Sequence, residues 1–124
     1  MPVHPQHTVC WFEIPVSDLE KSIAFYDAVL DTNLTIDNNG PNPMAMFPTS
    51  DTTNGISGHL YPGTPSEHGS TIHLVAPDDL AATRKRVEAA GGKVESPDIP
   101  LPSGAFFYAR DLDGNSIGFF QFNS

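Results

Sequence analysis

Residues 11–30 read WFEIPVSDLEKSIAFYDAVL, and the period of this stretch changes in its middle. Up to Val16 it alternates like a strand. Val9, Trp11, Glu13 and Pro15 fall on one face; Cys10, Phe12, Ile14 and Val16 fall on the other. From Leu19 the apolar residues take helical spacing: Leu19, Ile23, Tyr26 and Val29/Leu30, with Phe25 widening the stripe. Between the two, Ser17 and Glu20 make S-x-x-E, which predicts a capping box at the helix start. A strand feeding a helix that packs back on it leaves a sheet face bare and cannot stand alone. The chain answers by doing it twice. Residues 71–76 predict a second strand, Asp78 or Asp79 a second N-cap, and 80–90 a second helix. Superposing Asp18-Leu19 on Asp79-Leu80 pairs Phe12 with His73, Ile14 with Val75, Tyr26 with Val87 and Ala28 with Ala89.

The stretches between fill out each half. Strands are expected over 9–16, 34–36, 44–47 and 56–61, and helix one over 18–30. Asp31-Thr32-Asn33 ends that helix, since Asp and Asn tolerate the left-handed conformation of a C-cap. Asn38 to Pro43 is turn chemistry throughout, and Asn54-Gly55 favours a hairpin. Residues 62–69, PGTPSEHG, read as a connector. In the second half Gly91-Gly92 closes the helix, 93–95 is a strand, and 97–104 is a proline-rich loop. Residues 105–110 and 116–122 form a hairpin around Asp113-Gly114-Asn115. Residues 1–8 read as a loose arm.

The expected fold class is therefore α+β. Two tandem βαβββ modules, about 9–61 and 70–122, form curved mixed sheets around a cup with helices on the outer face. Together they make one domain over 1–124, a length that suits a single core. The net charge of −9 repels phosphate backbones, so nucleic acid is not an expected partner. The one basic cluster, Arg84-Lys85-Arg86, reads as a solvated helix face. No apolar run is long enough to span a membrane, and the MPVHPQHT start is not expected to be a signal peptide. The single cysteine, Cys10, excludes an internal disulfide and suits a reducing cytoplasm. By strand phase Cys10 is expected to be a buried, inert thiol facing helix one.

Certain motifs connect the layout to known proteins. They are Phe12-Glu13-Ile14-Pro15-Val16-x-Asp18-Leu19, Ser22-Ile23-x-Phe25-Tyr26 and Val29-Leu30 in the first half. In the second they are residues 87–94, VEAAGGKV, and Asp111-x-Asp113-Gly114-Asn115-Ser116-Ile117-Gly118. In this the chain resembles the vicinal oxygen chelate superfamily, the glyoxalase / bleomycin-resistance / extradiol dioxygenase group, over about residues 9–122. It departs from the pattern at Asp31, where relatives often carry glycine, and at Leu112, where the hairpin often has proline. The resemblance implies paired βαβββ modules, commonly a homodimer, and in metal-dependent members one divalent ion held by two ligands from each module. Here the four ligand positions fall on Trp11, on or next to His59, on Thr71 or Ile72, and on Gly118. Trp11 and Gly118 cannot ligate, so no metal cofactor is expected and a true glyoxalase is not.

Glu13, by parity on the cup face, together with His59 and His73 makes a workable general acid/base set. Glu13 could equally bond a histidine or backbone amide and simply fix the fold. The module pairing places His73 on the helix side. A one-residue bulge near Ala76-Pro77 would turn it into the cup, and that is the expectation, because an imidazole pressed among Ala and Val lacks a polar partner. Glu13, His59 and His73 are then expected to line one cavity. Trp11, Met46 (with Met44), Phe106, Tyr108 and Phe120 are candidates for a ligand-binding aromatic wall, or else for ordinary core and dimer packing. His4, His7 and His68 belong to arm and loop and are expected at the surface. Two functions fit: a metal-independent lyase or isomerase using Glu13, His59 and His73, or a non-catalytic small-molecule binding or resistance protein.

Overall fold

The structure, a computed structural model, describes Pro5, His7, residues 9–40 and residues 42–123. His4, most of the N-terminal arm, and Pro41 of the Asn38–Pro43 turn lie outside the described residues. Eleven elements follow one another: β1 (Trp11–Val16), α1 (Leu19–Leu30), β2 (Ile36–Asp37), β3 (Met44–Met46), β4 (Ser57–Pro62), β5 (Ile72–Val75), α2 (Leu80–Ala89), β6 (Lys93–Val94), β7 (Ile99–Leu101), β8 (Gly104–Arg110) and β9 (Ser116–Phe122). The first sheet has the order β1-β4-β3-β2 and the second β5-β9-β8-β6, with β7 also on β8. In each sheet the first strand pairs in parallel with the last, and the other pairs are antiparallel. Neither sheet closes into a barrel, and none of the described helices is long and apolar enough to cross a membrane.

The second module holds one strand more than βαβββ. β7 lies inside the proline-rich 97–104 stretch, which reads as loop in the sequence. Pro100 is tolerated because β7 is an outer strand with a single partner, where a missing N–H interrupts at most one ladder.

The two helices touch each other and share one continuous apolar core with both sheets. α1 buries Leu19, Ser22, Phe25, Tyr26 and Val29, the face expected from its periodicity. Phe107 and Phe119, paired across the β8–β9 hairpin, meet that core from the second module. Each such ring contributes about 1.5–3 kcal/mol by leaving water.

The corner between β1 and α1 is built differently from a Ser17 capping box. Asp18, extended at φ −140°, is the N-cap and accepts from the Lys21 N–H at 3.1 Å. Ser17 instead gives both its N–H and its hydroxyl to the Asp113 carboxylate, on the turn between β8 and β9. Nearby, buried Asp111 accepts from the Tyr26 hydroxyl at 2.7 Å, and the Asn115 amide donates to Pro15 O at 2.8 Å. The Asp111–Asn115 turn, with Gly114 at φ +81°, thus fastens one module to the other. Asp31 does end α1 in the left-handed conformation. Cys10 is exposed rather than buried, because β1 begins at Trp11 and the residues before it lie outside the sheet.

Candidate functional site

Each sheet turns one face to the helices and leaves the other open. On β1, Phe12, Ile14 and Val16 go to the core side, so Trp11, Glu13 and Pro15 stand on the open face. The parallel register of β1 with β4 sets Glu13 beside His59 and Pro15 beside Tyr61. His59 Nε2 lies 3.1 Å from Glu13 Oε1. The Trp11 indole Nε1–H donates to His59 Nδ1 at 2.9 Å. An indole can only donate, so Nδ1 must be the bare nitrogen and the neutral ring carries its hydrogen on Nε2, directed at Glu13. Both imidazole nitrogens are thereby engaged. His59 is almost fully buried, whereas the Glu13 side chain is 62% exposed, which leaves that carboxylate as the accessible end of the chain Trp11–His59–Glu13. A cavity of about 270 Å³ opens beside it, lined by Glu13, Asn42, Pro43, Met44, His59 and Tyr61.

The open face of the second sheet is built from rings. His73 stands there, not under α2; Leu74 and Ala76 take the buried side of that strand. The reason is the extra residue anticipated near Ala76-Pro77. Between the last core position and the N-cap the first half has only Ser17, whereas the second has Pro77 and Asp78. The His73 ring meets Phe106 edge-on at 5.0 Å between centroids. Phe106 in turn touches Tyr108 at 5.1 Å and stacks parallel to Phe120 at 6.1 Å. Phe122 continues the row at 4.6 Å from Phe120. Partial burial among these rings lowers the His73 pKa below its ordinary 6.5.

The expected residues thus divide. Glu13 and His59 come together, with Trp11 as their third member. His73 does not join them: it lines a different cavity, of about 330 Å³, with Phe12, Phe47, Ile56 and Val75 among its walls. Of the aromatic candidates, Phe106, Tyr108 and Phe120 form the ring array, while Trp11 and Met46 lie half-exposed on the first sheet. Tyr61, Asn42 and Phe122 are additions. Tyr61 and Phe122 were open to discovery by the two-residue strand period from His59 and Phe120; Asn42 comes from a loop, where no period operates. His7 and His68 are exposed, as expected for arm and loop.

Of the four positions that hold metal in chelating relatives, Trp11 and Gly118 offer no ligand. The Thr71 hydroxyl bonds Ser116, and His59 has both nitrogens occupied. Gly118 is occupied in another sense: a Cβ there would collide with His73 Nδ1, so the imidazole fills the space a side chain would need.

This doubled architecture, with an open face on each sheet, is that of the Glyoxalase/Bleomycin resistance protein/Dioxygenase superfamily. The family model matches residues 5–119, and the chain belongs to that superfamily. Solved structures share the fold. A hypothetical protein, SA1046, from S. aureus aligns at TM-score 0.69 and 23% identity over 94% of this chain and 99% of that one. A glyoxalase/bleomycin resistance protein from Albidiferax ferrireducens T118 aligns at 0.66 and 23%, over 94% and 100%. TnmS3, an antibiotic binding protein from Streptomyces sp. CB03234, aligns at 0.62 and 26%, over 97% and 100%. No curated protein matches the chain.

Proposed function

We propose that this protein binds a flat, aromatic small molecule without transforming it, as a homodimer. The observation that carries the reading is the separation of His73 from the Glu13–His59 pair. A three-residue acid/base set is not assembled in the chain; instead the second imidazole is one ring in the array of Phe106, Tyr108, Phe120 and Phe122. Ring faces and edges hold planar ligands through offset and edge-on contacts worth about 0.5–1.5 kcal/mol each beyond area burial. The antibiotic-binding relative supports the same class of role. The donor set at the four chelating positions does not fit a divalent ion, so the reading uses none.

Two open sheet faces also argue for a second copy. Trp11, Met46, Val75 and Phe122 are exposed on them, the last two by more than half. A symmetric dimer that sets the polar face of one copy against the ring-lined face of the other would bury them and enclose the ligand, over at least about 1,200 Å² in total. The cytoplasmic assignment rests on the unpaired thiol of Cys10.

Titration with planar aromatics, followed by quenching of Trp11, the only tryptophan, is expected to saturate at one ligand per chain. Mass spectrometry should return the ligand unchanged. Sedimentation should give twice the chain mass. Conversion of the ligand would replace this reading by a second one, a metal-independent lyase or isomerase. Its support is the free Glu13 oxygen, held in place by His59 and Trp11 for proton transfer.

A further inference from the structure

We infer that the ligand is a cation, an aromatic amine or amidine whose positive group sits in the cavity of Glu13, Tyr61, Met44 and Asn42. The inference rests on the aromatic-binding reading above and adds the charge of the ligand to it.

The argument starts from a carboxylate without a counter-charge. Glu13 stands on a face that a ligand or a second copy would cover, and covering an unpaired carboxylate is costly. Among the described residues its side-chain partner is His59, which meets it as a neutral hydrogen-bond donor because Trp11 holds the other nitrogen. The chain has six Lys and Arg in all. Arg84 is paired with Asp98 and Arg86 with Asp78, while Lys93 and Arg110 both reach Glu95. Lys21 and Lys85 are exposed on α1 and α2, on the helix side of the sheets. Among the described residues, no Lys or Arg is therefore left for Glu13. On the strands of a second copy's second sheet the Lys and Arg are Lys93 and Arg110, which reach Glu95.

The cavity walls suit a positive group. Tyr61 offers a ring to a cation, Asn42 an amide oxygen and Met44 a polarisable sulfur, with Glu13 supplying the charge. His59 occupies Oε1 and leaves Oε2 free to accept from the ligand. The net charge of −9 draws cations towards the protein before contact.

The test compares matched three-ring probes by titration calorimetry: 9-aminoacridine, cationic at neutral pH, against neutral acridine. The cation is expected to bind at least about tenfold more tightly, the size of one good charge-assisted contact. Glu13→Gln should erase that preference, while Glu20→Gln, which removes the same charge from the exposed side of α1, should keep it. Potassium chloride should weaken 9-aminoacridine only. Equal affinities for the two probes, or a preference that survives in E13Q, would overturn the inference and leave the aromatic-binding reading standing. Failure of both probes to bind at millimolar concentration would overturn that reading, and the inference with it.

Discussion

The strand pair β1/β4 and the strand pair β5/β9 are the same device with opposite chemistry. Both are parallel, both join the first strand of a module to its last, and both bury one face under a helix. On the open side the first pair sets Glu13 against His59, and the second sets His73 against Gly118. Each pair also lays a ring over a glycine. Phe12 covers Gly58, and a Cβ at Gly58 would strike both the Phe12 ring and its carbonyl; His73 covers Gly118. In the first module that ring faces the core, in the second it faces out. The difference shows that duplicating a topology does not duplicate a site. One inserted residue ahead of α2 moved the ring-over-glycine contact to the open face and gave one sheet hydrogen bonds and the other rings.

The strongest perturbation should ignore the distinction between halves. Phe107 is fully buried in the shared core, against Phe119 and beneath the Arg84 guanidinium. Phe107→Ala is expected to cost about 3–5 kcal/mol. Because the modules share one core, both should unfold in a single transition, seen as coincident denaturation curves from Trp11 fluorescence and far-UV circular dichroism. Two separate transitions would show that the halves are independent.

Next in size is the fastening between modules. Tyr26 is wholly buried, and its hydroxyl donates to the Asp111 carboxylate. Tyr26→Phe should cost about 1.5–3 kcal/mol, the range for a hydrogen bond to a charged group. Burial and then the Asp111 charge raise the Tyr26 pKa well above its ordinary 10.0. A raised pKa favours the protonated folded form, so its stabilisation is whole below pH 10 and is lost as pH rises from there towards the folded value. Chemical denaturation between pH 9 and 11 should show stability falling above pH 10 in the parent, and less steeply in Y26F.

The contrast between the strand pairs can be broken directly at Gly118. Gly118→Ala should expel the His73 ring and cost about 1–3 kcal/mol by overpacking. In the parent, an NMR titration should place His73 below 6.5, because burial disfavours its cation. In G118A the value should move back towards 6.5. An unmoved titration would mean that the ring does not depend on the glycine. On the first sheet the matching change is smaller. Trp11→Phe deletes a half-exposed donor to His59 and should cost about 0.5–1.5 kcal/mol in urea denaturation. Its effect on proton exchange at His59 Nε2 should be clear, since the tautomer loses its anchor.

Much of the fold was legible because it is local. The period switch at Ser17–Leu19, the Asp31 cap, the Asp79 cap and the Asp113-Gly114 turn each depend on residues a few positions apart. The misreadings are long-range. Ser17 lost the capping role to Asp18 because Asp113, distant in sequence, takes its N–H and hydroxyl. β7 was hidden by Pro100, and its strand character comes from its partner β8. Of the site, Glu13, His59 and the ring residues could be singled out by type and strand phase. Their division into two groups could not.

The sequence by itself determined the two βαβββ-like halves, the open and buried faces of β1, and the loss of ligating side chains at Trp11 and Gly118, since residue type and strand period are properties of the chain alone. Only the tertiary structure decided that His59 is locked between Trp11 and Glu13, that His73 lies over Gly118 among rings, and that Asp111 and Asp113 join the modules. Those facts depend on register between strands brought together from distant parts of the chain. A hydrogen bond or a ring contact there is fixed to within an ångström by packing that no local period encodes.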